Sequence, residues 1–452
     1  APPSPGEANQ TVRMINGPMI EWATDTAIGI QTGSTLAVTA KVSKTFHSVV
    51  TSQVQVVSRI MYGGSNTYTL VDDGTGDDPV AGDGIYHGSI PTTALGTNQM
   101  LRWYFLAKDV SNNVTRLPNF YDTEDSPEYF GAVAADPALV SNLPVFWWFA
   151  ANPAGAENEL GTRCSVYFLS NFYDNVYIDL HGQSSQGFPV KSHNFDFNSD
   201  MYFRYEAGKR RVQDIDILST WADKSKCRNT MTYGSFAAFG HPTHFAFPIR
   251  VHRNGAFHAI YDMCEDADDR YLLRNGLSED GALYKMYNNL AYNSTPPSWF
   301  PGTPGAGTGA EKKNRRDEAN DDLRELVIGL ATTQSTARIH RYVYDHVDIV
   351  RAVNYFAVMA PMNDHDHHAK NYYLYRDTTG TKEWSLLPQD ADLTFGHVWN
   401  SSNNYFDLQI QTNQPFVRGG NRMYDVLFSM PSVRQMIMRR VRTLADRTVA
   451  PG

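Results

Sequence analysis

The stretch MNDHDHHAKNYYLYRD (362–377) and, past the turn-like TTGTKEW, the stretch LLPQDADLTFG (386–396) decide the reading of this chain. The first is the densest polar cluster in the sequence. It follows a helical run that Pro361 is expected to stop, and it leads into strand-like YYLY. A β-hairpin over the intervening turn brings the two acidic motifs to one cleft. Tyr372, Tyr373 and Tyr375, alternating along a strand, read as aromatics packed between layers rather than a ligand-stacking face.

Upstream, Leu323, Leu326, Val327 and Leu330, then Tyr342, Val343, His346, Val347, Val350, Val353 and Ala357, follow helical spacing. A predominantly helical lobe over 322–445 follows from this. The Pro-, Gly- and charge-rich segment 293–321 reads as an exposed, mobile loop. Before it, strand-like pieces near 145–149, 166–169 and 176–180, a Gly/Ser turn in HGQSSQGFPVKSHNFDF (181–197), a helix near 224–239 and a hairpin over 245–265 with Asn254-Gly255 at its turn make a β-rich lobe, about 143–290.

Towards the N-terminus, Leu36, Val38, Ala40 and Val42, and later Leu101, Trp103, Phe105 and Ala107, alternate with a period of two. Residues 18–132 fit an all-β, Ig-like sandwich that positions the rest of the chain or contacts a cell-surface or assembly partner. Residues 1–17 form an extension, and 133–452 a second domain. Asp72, Asp73, Asp77, Asp78 and Asp83 lie in a turn-rich segment and read as solvated turn residues, with Ca²⁺ coordination as the alternative.

A formal charge of -9 opposes attraction to nucleic acid or anionic membrane. No apolar run approaches the roughly 20 residues that span a bilayer. The start, APPSPGEANQ, lacks the basic and apolar regions of a signal peptide, as a processed or trimmed N-terminus would. The chain is expected to be secreted or at the cell surface. Cys164, Cys227 and Cys264 are too few for a disulfide framework, with Cys227–Cys264 the one candidate pair.

Asp366 and Asn371 stand five positions apart, the separation of the base and the metal-binding amide in the protein-kinase loop HRDxxxxN. Triphosphate charge needs Mg²⁺, or Mn²⁺, held by carboxylate and amide oxygens, while another carboxylate orients a hydroxyl. Asp366, Asn371 and Asp390 can divide those tasks. The bland alternative is a polar loop whose Asp and Asn satisfy backbone groups. A third reading gives His365, His367 and His368 to a transition metal and makes a metal-dependent hydrolase.

Several ordered motifs resemble the CotH kinase-like family, named after spore-coat protein H. They are Gly182 to Lys191, Asp223 with Arg228-Asn229, Asn254 to Tyr261, Asn363 to Tyr375, and Pro388 to Gly396, over roughly 143–445. The resemblance implies an α+β, bilobal, protein-kinase-like domain that binds ATP with Mg²⁺ and phosphorylates a protein Ser or Thr. On it, Asp366 resembles the base, Asn371 and Asp390 the metal ligands, and Asp392 a further ligand or orienting group. Lys191 is the candidate phosphate-contacting lysine, with Gly182, Ser184 and Ser185 in the nucleotide turn. Arg228 pairs with a phosphate or a nearby acid, and Glu265 lies near the inter-lobe hinge. His181 and Val190 replace basic residues of the family pattern, and Gln389 a frequent aromatic. An inactive kinase-like scaffold, AMP transfer, and glycan or small-molecule acceptors stay open.

Overall fold

The computed structural model describes residues 17–290, 309–364, 366–367, 370–396 and 420–448. The chain divides into two compact units. One comprises the described residues up to Leu180 with Phe195–Gln213 and Arg250–Ala259; the other comprises His181–Asn194, Asp214–Ile249 and the described residues from Ile260 onward. The stretch 143–290, read from sequence as one lobe, therefore contributes to both.

In the first unit, β1 (Met19–Asp25), β2 (Thr35–Ser43) and β5 (Ile85–Pro91) form one antiparallel sheet. A second sheet has the order β4 (Ser65–Thr69), β3 (Gln55–Ile60), β6 (Met100–Lys108), β7 (Val114–Leu117), with β8 (Phe130–Val133) also on β6. Alternation puts Leu36, Val38 and Ala40 of β2 into the same core as Val56, Trp103 and Phe105, so the two sheets share one interior. Trp147 and Phe149 of β9 (Val145–Phe149) pack with Met100 and Val133, which is why the chain past 132 stays with this unit. β9 also pairs with β10 (Thr162–Phe168), itself antiparallel to β11 (Asn171–His181).

The acidic turn uses its carboxylates on its own backbone. Asp72 accepts from the amides of Gly82 and Gly84, Asp78 from Gly74 and Val80, Asp73 from Thr75, and Asp83 from Ile85. These are turn braces.

The next elements are β12 (Ser192–Asp196), β13 (Asp214–Leu218), α1 (Arg228–Ala238), β14 (Ala246–Arg253) and β15 (Ala256–Glu265). Between β14 and β15, Asn254 and Gly255 both take positive φ, 49° and 88°, as a two-residue hairpin turn requires. All three cysteines are free thiols, so the candidate Cys227–Cys264 pair is not formed.

In the second unit, β13 pairs antiparallel with the end of β15, Ile215 opposite Glu265. After α2 (Asp269–Arg274) comes a four-stranded sheet in the order β17 (Ala310–Lys312), β16 (Ala282–Met286), β18 (Tyr372–Arg376), β19 (Trp384–Pro388). Of the segment read as a loop, 293–308 lies outside the described residues; 310–312 is a strand whose Ala310 and Lys312 are buried against β16. One face of this sheet, with Tyr284, Met286, Tyr372 and Leu374, packs on α3 (Asp321–Gly329), α4 (Thr336–His346), α5 (Ile349–Met362), α6 (Arg422–Ser429) and α7 (Pro431–Thr448). The other, with Leu283, Tyr373, Tyr375 and Leu387, packs on Tyr271 and Leu272 of α2. All three tyrosines of YYLY are thus core residues. No helix among the described residues is long and apolar enough to cross a membrane.

Candidate functional site

Every contact of the site described below lies within the second unit. Helix α5 is capped by Asp348, which accepts from Arg351 N, and buries Ala352, Tyr355, Phe356 and Val358. It runs one residue beyond Pro361, and Asn363 ends it in the left-handed region at φ 46°. Asp364 follows, buried, and accepts the amide of Asp366 at 2.8 Å, so this carboxylate shapes the turn that presents Asp366. Asn371, at φ 64°, donates its amide to Asp366 Oδ2 at 2.7 Å, which leaves Asn371 Oδ1 for another partner.

The hairpin then closes as read from sequence. Asp377 accepts the amides of Gly380 and Thr381, and Tyr372 pairs with Pro388. Asp390 emerges just beyond β19, exposed and at φ 51°. Asn363, Asn371, Asp390 and Phe395 all have positive φ, an unusual concentration for non-glycine residues and a mark of backbone shaped by its site.

The DAD loop is fastened by residues far away in sequence. Arg228 Nε donates to the carbonyl of Thr394 at 2.9 Å, and its guanidinium also pairs with buried Asp223. Ala391 N donates to Asn229 Oδ1 at 3.0 Å, and Asn229 Nδ2 reaches Asp262 Oδ2 at 3.3 Å. Thr232 donates to Thr394 Oγ1, which donates to the Ala391 carbonyl. Gly396 N donates to the Asn363 carbonyl at 3.1 Å, tying the loop back to the end of α5.

Electrostatically the cluster is overloaded with negative charge. Burial first, with Asp390 and Asp364 adding to it against Lys370 and the Asn371 hydrogen bond, raises Asp366 to about 6. Burial and then Asp390 push Asp392 well above the ordinary carboxylate range. Asp364 Oδ2 is buried with no hydrogen-bond partner among the described residues. Hard oxygen donors, surplus negative charge and an unpartnered buried oxygen fit a divalent cation such as Mg²⁺. Among the described residues no three His, Cys, Asp or Glu side chains form a metal-holding group; the set expected here counts two carboxylates and one amide. Of the alternative histidine set, His365 and His368 lie outside the described residues, and His367 is buried against Tyr424.

The other expected residues have contacts of their own. The Lys191 ammonium is given to the carbonyl of Gln186, inside its own turn. Gly182 has φ 101°, and a Cβ there would strike Ser185 Oγ, so the turn needs glycine for conformation and space. Ser184 begins the short 3₁₀ turn that runs to Gly187. Glu265 is buried and bonded by Arg274 Nε at 3.0 and 2.9 Å, a bracing ion pair at the end of β15. Arg228 pairs with a nearby acid, the second of its two expected roles. His181, expected as a neutral replacement for a fixed cation, puts Nδ1 2.5 Å from Asn194 Oδ1 and 3.2 Å from Asp216 Oδ1; burial opposes its charging, but Asp216 outweighs it and raises the imidazole above its ordinary value.

Sequence pattern does not single out Asp364, although it stands two residues before Asp366 in the same polar cluster. Asn229, part of a motif but given no role there, is the residue that joins the DAD loop to Asp262.

This arrangement, Asp366 hydrogen-bonded to Asn371 beside a braced acidic loop, lies inside a stretch that matches a known family. Residues 178–452 match the family described as CotH kinase protein, and the chain belongs to that family. The match begins at 178, later than the 143 read from sequence and close to where the second unit starts. Among relatives, the inner spore coat protein H of Bacillus subtilis (strain 168) is 25% identical over 226 residues, which cover 49% of this chain and 59% of that protein.

Proposed function

We propose that the second unit is an ATP-dependent phosphotransferase that moves the γ-phosphoryl group to a hydroxyl, with a protein Ser or Thr as the acceptor. The observation that supports it is the Asn371–Asp366 hydrogen bond at 2.7 Å, set against the braced loop that carries Asp390 and Asp392. Asp366, raised to about 6, remains mostly ionised at neutral pH and takes the proton of the attacking hydroxyl. Asn371 Oδ1, Asp390 and Asp392 are the donors for Mg²⁺, which when bound screens phosphate charge. Arg228 and Asn229 hold the DAD loop so that its carboxylates need little reorganisation.

The family membership and the spore-coat relative support a place outside the cytoplasm, at a spore or cell surface. Residues 18–132 then serve as an Ig-like positioning or partner-binding module. The test is label transfer from γ- against α-labelled ATP, with Asp390→Ala as control. Transfer of γ label to protein, lost in the variant, is the expected result; α-label transfer would assign AMP transfer instead, and absence of both with no Mg²⁺–ATP binding would sink the reading.

A second reading, a kinase-like scaffold without catalysis, draws on the Lys191 ammonium being committed to Gln186. It requires Asp366→Asn and Asp390→Ala chains to keep their biological role.

A further inference from the structure

Asp262 of β15 is 0% exposed, and a single side chain separates it from the DAD loop. Asn229 Nδ2 stands 3.3 Å from Asp262 Oδ2, and Asn229 Oδ1 accepts the amide of Ala391, the residue between Asp390 and Asp392, at 3.0 Å. Ala391 is itself buried against Tyr233 of α1 and Cys264 of β15. A backbone N–H can only donate, so the Ala391 bond fixes which way the Asn229 amide points. Its NH₂ group then faces Asp262, and Asp262 Oδ2 must accept.

This chain of bonds is complete when Asp262 is ionised. Asp262 Oδ1 is buried with no hydrogen-bond partner among the described residues. A proton on Oδ1 finds no acceptor there. A proton on Oδ2 meets the hydrogens of Asn229 unless that amide turns over and lets go of the Ala391 amide. Burial works the other way and disfavours the charge. Asp223 and Lys226 face the carboxyl from the loop ahead of α1, Cys264 lies on the same strand, and β13 sets uncharged Leu218 opposite. Lys226 gives its ammonium to the carbonyls of Ser219 and Thr220, at 2.6 and 2.8 Å, and offsets the burial only in part.

We infer that Asp262 is a positioning residue that, through Asn229, seats the DAD loop when ionised and loosens it when protonated, an inference that rests on the phosphotransferase reading for what the loop binds. Cation binding by the loop is then linked to loss of a proton to solvent from an acid that touches neither metal nor nucleotide. The bland competitor is a buried acid whose titration changes overall stability and leaves the loop alone. Two measurements separate these, each read as the difference between chains, because Asp366 and Asp392 titrate in all of them. Hydrogen-exchange protection of 390–396 in the unaltered protein, relative to Asp262→Asn, is expected to fall about fivefold or more from about pH 8 to about pH 6. Asn229→Ala, which cuts the link, should remove that pH dependence as well. Mg²⁺–ATP affinity over the same range is expected to weaken about fivefold more in the unaltered protein than in Asp262→Asn. Loop protection and affinity that follow pH identically in the unaltered protein and in either folded variant overturn the inference and leave the wider reading standing. An unaltered protein that binds no Mg²⁺–ATP overturns the wider reading, and loop protection then decides the role of Asp262 by itself.

Discussion

Asn371 Nδ2 sits 2.7 Å from Asp366 Oδ2, and both residues lie in the chain between α5 and β18. One amide thus orients the Asp366 carboxylate and leaves its own oxygen for another partner. The pair is a unit, and changes to either member should show in the other.

Asn371→Ala removes the donor to Asp366 and one oxygen of the proposed cation site. Thermal shift by ATP should then lose its Mg²⁺ dependence, while stability without ligand falls by about 1 kcal/mol. A variant that keeps full Mg²⁺-dependent stabilisation would contradict the assignment of Asn371.

Asp392→Asn relieves repulsion with Asp390, Asp364 and Asp366. Without metal the variant should be more stable than the parent by roughly 1 kcal/mol at pH 7, and its response to Mg²⁺–ATP should vanish. Urea denaturation with and without Mg²⁺–ATP checks both halves; a destabilised ligand-free variant counts against charge crowding.

Arg228→Ala strands the carboxylate of Asp223, which is 0% exposed, and frees the Thr394 carbonyl. Burial raises Asp223, but hydrogen bonds from Ser225 and the Arg228 amide, with the guanidinium charge, hold it below its ordinary value. The expected loss is about 3 kcal/mol. Hydrogen exchange across 390–396 should quicken, and Asp223→Asn in the same chain should recover part of the loss. Unchanged exchange in the loop would remove Arg228 from its support.

Asp262 supplies a pH dependence. Burial raises it from 3.8 to about 7; Asp223 adds like charge, and the Asn229 hydrogen bond and Lys226 only partly oppose them. A carboxyl raised on folding stabilises while protonated, so its contribution is present below about pH 4 and is lost as pH rises through 7. Asp262→Asn should therefore gain on the parent between pH 5 and 8, by at most about 4 kcal/mol. Parallel stability curves over that range would refute it.

Much of the local architecture is legible in the sequence. Tyr372 to Tyr375 alternate as a buried strand should, Asn254-Gly255 makes its hairpin turn, and Asp366 and Asn371 are close because only one turn separates them. Local pattern does not announce which partner a side chain takes. The Lys191 ammonium bonds the Gln186 carbonyl five residues back. Glu265 ends a strand and is paired with Arg274 of α2. Residues 310–312 read as loop by composition because a three-residue edge strand is too short to show a period.

By itself the sequence determined which acids share a turn and which segments form strands, since hydrogen bonding over a few residues and the period of apolar side chains are local properties. Tertiary structure decided what holds the acids in place. Arg228 and Thr394 are 166 residues apart, and Ala391 and Asn229 are 162 apart, so these braces exist only in the folded chain. Such contacts depend on packing and strand register, which sum preferences over the whole domain, so no single motif carries them.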